Sequence, residues 1–200
     1  MHRYLRFFLV IVILLAVGCA GKTGKSKYMR SAIPPTEGSS DSKAMVYFLR
    51  PSGLGYAIHF QIWDYYKSDY KLIGLSQAKS YFAYECDPGK HLFIGFAENK
   101  RAVEADIEAG KSYYIITQVK MGGWKARMAF IPVTRESEFW NQVDSYKKEL
   151  HFIVPEKGVI AQWESTKKAK IQKELNKVIN YLNTPEGKQY IVKLDKKDGR

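Results

Sequence analysis

The sequence has few cysteines and glycines and no long apolar run beyond its N-terminus. Two cysteines in 200 residues cannot build a disulfide scaffold, and 15 glycines are far too few for a collagen-like repeat. After the N-terminal segment there is no stretch of about 20 apolar residues, which excludes a polytopic membrane protein. A hydrophobic share of 46% excludes a fully disordered chain. We therefore expect one globular domain with flanking segments.

The N-terminal segment has the parts of a secretory leader. Residues 1–6 contain two arginines, residues 7–17 are apolar, and small residues precede Cys19. The apolar part suits a signal peptide and is short for a spanning helix. The sequence Ala-Val-Gly-Cys ending at Cys19 resembles the lipobox of bacterial lipoproteins, which implies palmitate-type acyl chains on that cysteine. We expect residues 1–18 to be a lipoprotein signal peptide; an ordinary signal peptide or an uncleaved anchor is the alternative.

Residues 19–43 are rich in Gly, Ser, Pro and Lys, which is typical of a flexible tether. Such a lipidated tether holds a domain near the bilayer without fixing its orientation. Ala20 rather than Asp follows the cysteine. We therefore expect the lipid to anchor the protein in the outer membrane, with the folded domain facing the periplasm.

Acidic residues are scarce, since 20 Asp and Glu stand against 32 Lys and Arg, for a formal net charge of +12. For an exported chain we expect membrane contact through the lipid. We also expect an envelope protein or an anionic envelope polymer as partner, and not nucleic acid.

Residues 44–133 alternate apolar and polar side chains, which indicates β-strands. Eight short strands are predicted, separated by turns such as Asp-Pro-Gly-Lys at 87–90 and the glycine pair at 122–123. This spacing is typical of a β-sandwich or barrel. We expect a mostly antiparallel β-sandwich with Cys86 buried.

Two turns of this region carry a recognisable pattern, Pro-Gly-Lys-His at 88–91 and Ala-Gly-Lys-Ser-Tyr-Tyr at 109–114. Together with residues 45–51 and 72–74, they resemble a family of bacterial lipoproteins of unknown function with a PEGA-like β-sandwich domain. The resemblance covers roughly residues 44–133 and implies a β-sandwich. That family has no assigned catalytic residues, so the resemblance implies none here.

After residue 133 the apolar spacing changes to three and four, which indicates helices in a C-terminal extension over 134–200. The first begins at Thr134 and includes Leu150. The second covers about 159–182, after a loop at 151–158. The apolar stripe of the second helix is interrupted by Lys167 and consists of Ile160, Trp163, Ile171, Leu175, Val178 and Leu182.

The fold class we predict is therefore α+β: an antiparallel β-sandwich of about eight strands followed by two C-terminal helices. The apolar stripe of the second helix must be buried. We expect it to dock on the sandwich, and the alternatives are a protein partner or the bilayer surface.

Residues that would indicate catalysis are few. His59, His91 and His151 have no metal-ligand spacing with each other or with Cys86. No Gly-x-Ser-x-Gly elbow occurs. We therefore expect that the protein is not an enzyme and that it has no catalytic residue, metal or cofactor.

An aromatic cluster beside Asp64 and Asp69 is the candidate ligand-binding feature. Aromatic rings beside hydrogen-bonding acids suit glycans, although loop aromatics that close one end of a sandwich are the simpler explanation. The candidate residues are Trp63, Tyr65, Tyr66 and Tyr70.

Two functions follow from these observations. The first is a non-enzymatic envelope lipoprotein that acts as a structural or partner-binding module. The alternative is a module that binds a glycan or another cell-wall ligand through an aromatic loop at residues 63–70.

Replacing Cys19 tests the lipid anchor. We expect Cys19→Ser to lose all incorporation of a fatty-acid analogue during metabolic labelling, because a hydroxyl does not replace the thiolate as acyl acceptor. The matched control is Cys86→Ser, which removes the other cysteine and should label like the natural sequence. Equal labelling of both variants would falsify lipidation at Cys19.

Overall fold

The computed structural model describes residues 26–35, 40–96, 99–121 and 126–200. The predicted signal peptide, Cys19 and the predicted glycine turn at 122–123 lie outside these residues. Among the helices of the described ranges, none has the length and apolarity needed to cross a bilayer.

The chain is mixed α/β, and its described residues form eleven strands in two sheets together with helices in the last third of the sequence. The strands are β1 (Met29–Ser31), β2 (Ala44–Arg50), β3 (Phe60–Tyr66), β4 (Asp69–Ser76), β5 (Ser80–Cys86), β6 (Gly89–Phe96), β7 (Lys100–Ile107), β8 (Ser112–Met121), β9 (Ala126–Pro132), β10 (His151–Pro155) and β11 (Ile191–Leu194). The α-helices are α1 (Val143–Glu149), α2 (Lys157–Leu182) and α3 (Pro185–Lys188), and short 3-10 turns cover Trp140–Gln142 and Lys196–Asp198.

The two sheets contain both parallel and antiparallel pairs. Sheet I has the order β1-β10-β5-β2-β8-β9, and sheet II has the order β11-β7-β6-β3-β4. The eight strands predicted within residues 44–133 are present as β2 to β9. The expected mostly antiparallel arrangement is confirmed among the described strands, since six of their nine pairs are antiparallel. The exceptions are the parallel pairs of β2 with β8, β5 with β10 and β7 with β11. Parallel pairs need long crossovers, and here each pair joins strands separated by other strands or helices.

The sheets face each other across a shared core. Phe48 of β2 in sheet I lies edge-on to Phe93 of β6 in sheet II, with ring centroids 5.4 Å apart. Because side chains alternate along a strand, Met45 and Tyr47 on the same strand β2 point to the opposite, outer side of sheet I. There they belong to a second apolar cluster with Val143 of α1. Each sheet therefore has one face toward the other sheet and one face toward a helix.

Residues 134–200 contribute more than helices. The first predicted helix is shorter than expected, since α1 covers Val143–Glu149 and Leu150 is already extended. The predicted loop at 151–158 is instead β10, which pairs with β5, and β11 adds a strand to sheet II. Phe152 and Ile153 are both buried, so pairing with sheet I covers apolar side chains that a loop would expose.

Part of the segment predicted as a tether is also ordered. Met29–Ser31 pairs antiparallel with β10, with Arg30 opposite Val154. Met29 is 6% exposed, and its backbone lies at the edge of sheet I. The folded part of the chain therefore begins before residue 44.

Cys86 lies at the end of β5 and is 5% exposed, as the strand pattern predicts, while its neighbour Glu85 is exposed. Burial raises the pKa of its thiol to about 12, and Asp64 and Asp87 add to this effect. A thiol with this pKa holds its proton throughout the neutral range and is a poor nucleophile.

We therefore expect slow reaction of Cys86 with a maleimide at pH 8 in the native protein and fast reaction in denaturant. The measurement is the rate of mass increase by mass spectrometry. It uses the Cys19→Ser variant, in which Cys86 is the only thiol that can react. Native labelling as fast as labelling in denaturant would contradict the buried position.

Candidate binding site

The long helix α2 covers the outer face of sheet II unevenly. Ile160 near its start is buried, and so are Leu175, Val178 and Leu182 near its end. Between residues 161 and 174 no described side chain is buried, although several are half-buried. The helix therefore contacts the sheet firmly at its two ends and leaves a crevice beneath its middle.

Two tryptophans meet at this crevice, one from the sheet and one from the helix. The ring of Trp63 on β3 is 6.2 Å from that of Trp163 on α2, at an interplanar angle of 42°. The Trp63 indole N–H donates to Gln61 Oε1 at 3.2 Å, which holds the ring in place on the sheet. On the far side Tyr28 packs edge-on against Trp163, with ring centroids 6.2 Å apart. The aromatic contact therefore spans the gap between helix and sheet.

The first of two cavities beside this contact has an apolar floor and a basic rim. It encloses about 260 Å³, and Phe96 and Ile171 line it together with the tryptophans. Lys167 and Lys170 of α2 stand at its edge and are exposed. Lys167 is the residue that interrupts the apolar stripe in the sequence, and here it lies where the helix stands away from the sheet.

The only acid on the lining of this first cavity, among the described residues, is already paired. Lys177 Nζ donates to Glu174 Oε1 at 2.8 Å and lowers the pKa of that carboxyl group, and Lys100 acts in the same direction. Among the described residues neither Lys167 nor Lys170 forms an ion pair with an acid. The rim therefore carries a local positive charge.

The second cavity lies on the other side of Trp63 and has an acidic character. It encloses about 410 Å³, with Asp69, Tyr70 and Glu164 on its lining. Tyr70 donates its hydroxyl to Asn176 Oδ1, and Glu164 Oε1 accepts from the Leu72 N–H at 3.4 Å. Burial raises the pKa of Tyr70, with a smaller contribution from Tyr65. The same helix thus borders one basic and one acidic cavity.

The four aromatic residues singled out in the sequence lie on strands and not in a loop, so the expected aromatic loop at 63–70 is wrong in form. Trp63, Tyr65 and Tyr66 belong to β3 and Tyr70 to β4. The turn is confined to Lys67 and Ser68, whose φ angles of 49° and 66° are positive. A two-residue turn of this kind pairs the aromatic positions across the hairpin.

The four rings of the β3–β4 hairpin lie in three different environments: under α2, at the second cavity and against His91. Trp63 is 3% exposed and lies under α2, and Tyr70 reaches the second cavity. Tyr65 packs on Tyr70 with centroids 4.9 Å apart. Tyr66 stacks instead on His91, at 4.1 Å, and donates its hydroxyl to the Pro88 carbonyl. Two of the four residues therefore border the crevice.

Asp64 is buried between the sheets and does not reach the crevice. His91 Nδ1 lies 2.9 Å from Asp64 Oδ1, and Tyr84 donates its hydroxyl to Asp64 Oδ2 at 2.9 Å. His91 Nε2 lies 2.9 Å from the Asp87 carbonyl oxygen. Both ring nitrogens of His91 therefore face oxygen atoms within hydrogen-bond distance. This network closes one end of the core.

Other chemistry-bearing residues from the sequence do not assemble into a site. Cys86 is buried, and His151 is exposed at the start of β10. Within the described ranges no group of three or more His, Cys, Asp or Glu side chains could hold a metal ion.

No protein-family model matches this chain, and no curated protein matches it either.

Removing the charge of Asp64 tests the buried network. We expect Asp64→Asn to lower the free energy of unfolding by roughly 3 kcal/mol, because the amide nitrogen that replaces one carboxylate oxygen cannot accept the hydrogen bond from Tyr84 or face His91 as an acceptor, which leaves a buried polar group unsatisfied. The measurement is equilibrium urea unfolding at pH 7. The control is Asp69→Asn, an exposed site where the amide oxygen can still accept from the Tyr70 N–H. Equal effects of the two substitutions would contradict the structural role of Asp64.

Proposed function

We propose that this protein is a non-enzymatic lipoprotein of the bacterial envelope whose folded domain binds a ligand in the crevice beneath α2. One observation carries the binding proposal: the crevice places Trp63, Trp163 and Ile171 around an open apolar cavity. Concave apolar sites with a few polar groups at the rim are the usual form of ligand pockets. The cavity of about 260 Å³ is slightly smaller than the roughly 300–1,000 Å³ typical of ligand pockets, which suits one chain or one ring.

The packing of α2 supports a binding role over a purely structural one. A helix that served only to cover sheet II would be expected to place an apolar residue at every sheet-facing position. Here Lys167 occupies the middle of the stripe, and the neighbouring part of the helix is not buried. Ile160 near the start of the helix and Leu175 and Val178 near its end are buried, and this burial holds the helix on the sheet on both sides of the gap.

The membrane location rests on the leader sequence. Residues 1–19 have the pattern of a lipoprotein signal peptide with Cys19 as the acylated residue. Two or more acyl chains are sufficient for stable membrane attachment. In this proposal the facing sheets form a β-sandwich of the PEGA-like type, and the lipid holds it at the outer membrane.

A glycan or another cell-wall ligand is the second candidate, and the acidic cavity favours it. Asp69, Tyr70 and Glu164 combine hydrogen-bonding oxygens with an aromatic ring on one lining. Calorimetric titration with a chitin-derived tetrasaccharide tests this candidate. Binding that Tyr70→Ala removes and Tyr66→Ala retains would favour it over the apolar ligand.

Filling the crevice tests the first candidate. We expect the neutral dye N-phenyl-1-naphthylamine to bind the native protein with saturable fluorescence enhancement, at one dye per chain. Ile171→Trp should abolish this signal because the larger side chain occupies the cavity. Ile179→Trp is the matched control, since Ile179 is half-buried on the same helix and does not line either cavity.

Circular dichroism should show that both variants keep the fold. Absence of saturable dye binding to the native protein would contradict the proposal. Equal loss of dye binding in both variants would contradict the assignment of the crevice.

A further inference from the structure

The first cavity has an apolar lining and positive charge at its opening. Its floor is formed by Trp63, Phe96 and Ile171, and two lysines stand at the rim. A ligand seated there would have its apolar part against the rings and its outer end beside the ammonium groups. This separation of apolar and charged surfaces is the arrangement that an amphiphile requires.

The lysines at this mouth are available to a ligand. Lys167 and Lys170 are exposed and three residues apart on α2, so both lie near the opening. Glu174 on the same lining is held by Lys177 at 2.8 Å, and Lys100 of β7 also acts on that carboxylate. The net charge facing a ligand head group is therefore positive.

The size of the cavity limits the apolar part of the ligand. About 260 Å³ is available, with the Trp63–Trp163 contact on one side and the buried Leu175 at the base. That volume is below the roughly 300–1,000 Å³ typical of ligand pockets, so it leaves no room for two alkyl chains side by side. Shape and charge thus point to the same kind of molecule.

We propose that the crevice beneath α2 binds a single-chain amphiphile with an anionic head group, whose alkyl chain lies against Trp63 and Ile171 and whose head group contacts Lys167 and Lys170. This proposal rests on the proposed function and specifies its ligand class. Carboxylate and phosphate head groups share the required chemistry, and the experiment below separates them.

The experiment is displacement of N-phenyl-1-naphthylamine from the full chain by four amphiphiles that each contain twelve carbons in one unbranched chain. These are dodecanoate, dodecyl phosphate and dodecyltrimethylammonium, all used below their critical micelle concentrations, and dodecanol, used below its solubility limit. We expect the two anions to displace the dye at concentrations about ten-fold lower than the cation, because two exposed ion pairs together correspond to about that factor. The preference should weaken as salt is raised, since these charges are exposed.

A double variant locates the head group. Lys167→Gln with Lys170→Gln should reduce the preference for anions to near equality and leave dodecanol displacement unchanged. The matched control is Lys157→Gln with Lys173→Gln, which removes the same charge from exposed positions on α2 outside this cavity. The control should retain the preference of the native protein. The ratio between dodecanoate and dodecyl phosphate shows which head group fits better.

The outcomes separate this inference from the proposed function. If all four amphiphiles displace the dye equally from the native protein, the crevice binds apolar chains and the anionic head group is wrong. If the control double variant loses the preference as fully as the Lys167 and Lys170 variant does, the assigned contact is wrong. If the native protein binds no dye and no amphiphile, the proposed function itself fails.

Discussion

The contact between Trp63 and Trp163 is the interaction on which this description depends. The outer face of sheet II is apolar and must be covered, and α2 covers it. The two indoles occupy the space between β3 and the middle of the helix, where no described side chain of α2 is buried, whereas Ile160 near its start and Leu175 near its end are buried. A helix fixed at both ends and separated from the sheet between them leaves a crevice with apolar walls. The cavities on either side of Trp63 are consequences of this one packing constraint.

In the proposed function, different parts of the same layer provide stability and ligand binding. The ends of α2 and the core between the sheets are closely packed, and Asp64, His91 and Tyr84 form a satisfied polar network within that core. The middle of α2 has fewer buried side chains and more charge. Binding sites commonly occupy such less completely packed regions, because a fully packed layer leaves no room for a ligand.

The sequence predicted the strands well because their period of two is local. The eight strands over residues 44–133 and the long helix near 159–182 were both evident from the spacing of apolar residues. The pairing partners of the strands were not evident. β10 pairs with β5 and β11 pairs with β7, and both pairings join residues that are far apart in sequence. Short strands such as Met29–Ser31 carry too little pattern to be distinguished from a tether.

The candidate site was also predicted only in part, because local sequence patterns identify some of its residues and long-range strand register brings in the others. Trp63 and Tyr70 were singled out by their aromatic neighbourhood, whereas Lys167 was noted only as an interruption of the apolar stripe and not as a site residue. Gln61 and Phe96 were missed because each reaches the crevice only through the register of β3 with β6, where they are opposite one another. Asp64 was expected beside a ligand and is instead buried, because its neighbour Trp63 takes the outer face and alternation turns Asp64 inward.

Fluorescence quenching by a brominated alkyl chain tests the central claim most directly, because bromine quenches only tryptophans that it contacts. The measurement uses the natural sequence with Trp124→Phe and Trp140→Phe, so that Trp63 and Trp163 alone emit. Titration with 12-bromododecanoate should give quenching that saturates at one molecule per chain and that unbrominated dodecanoate reverses. Quenching that rises linearly without saturation, as free bromide produces, would contradict a binding crevice between α2 and sheet II.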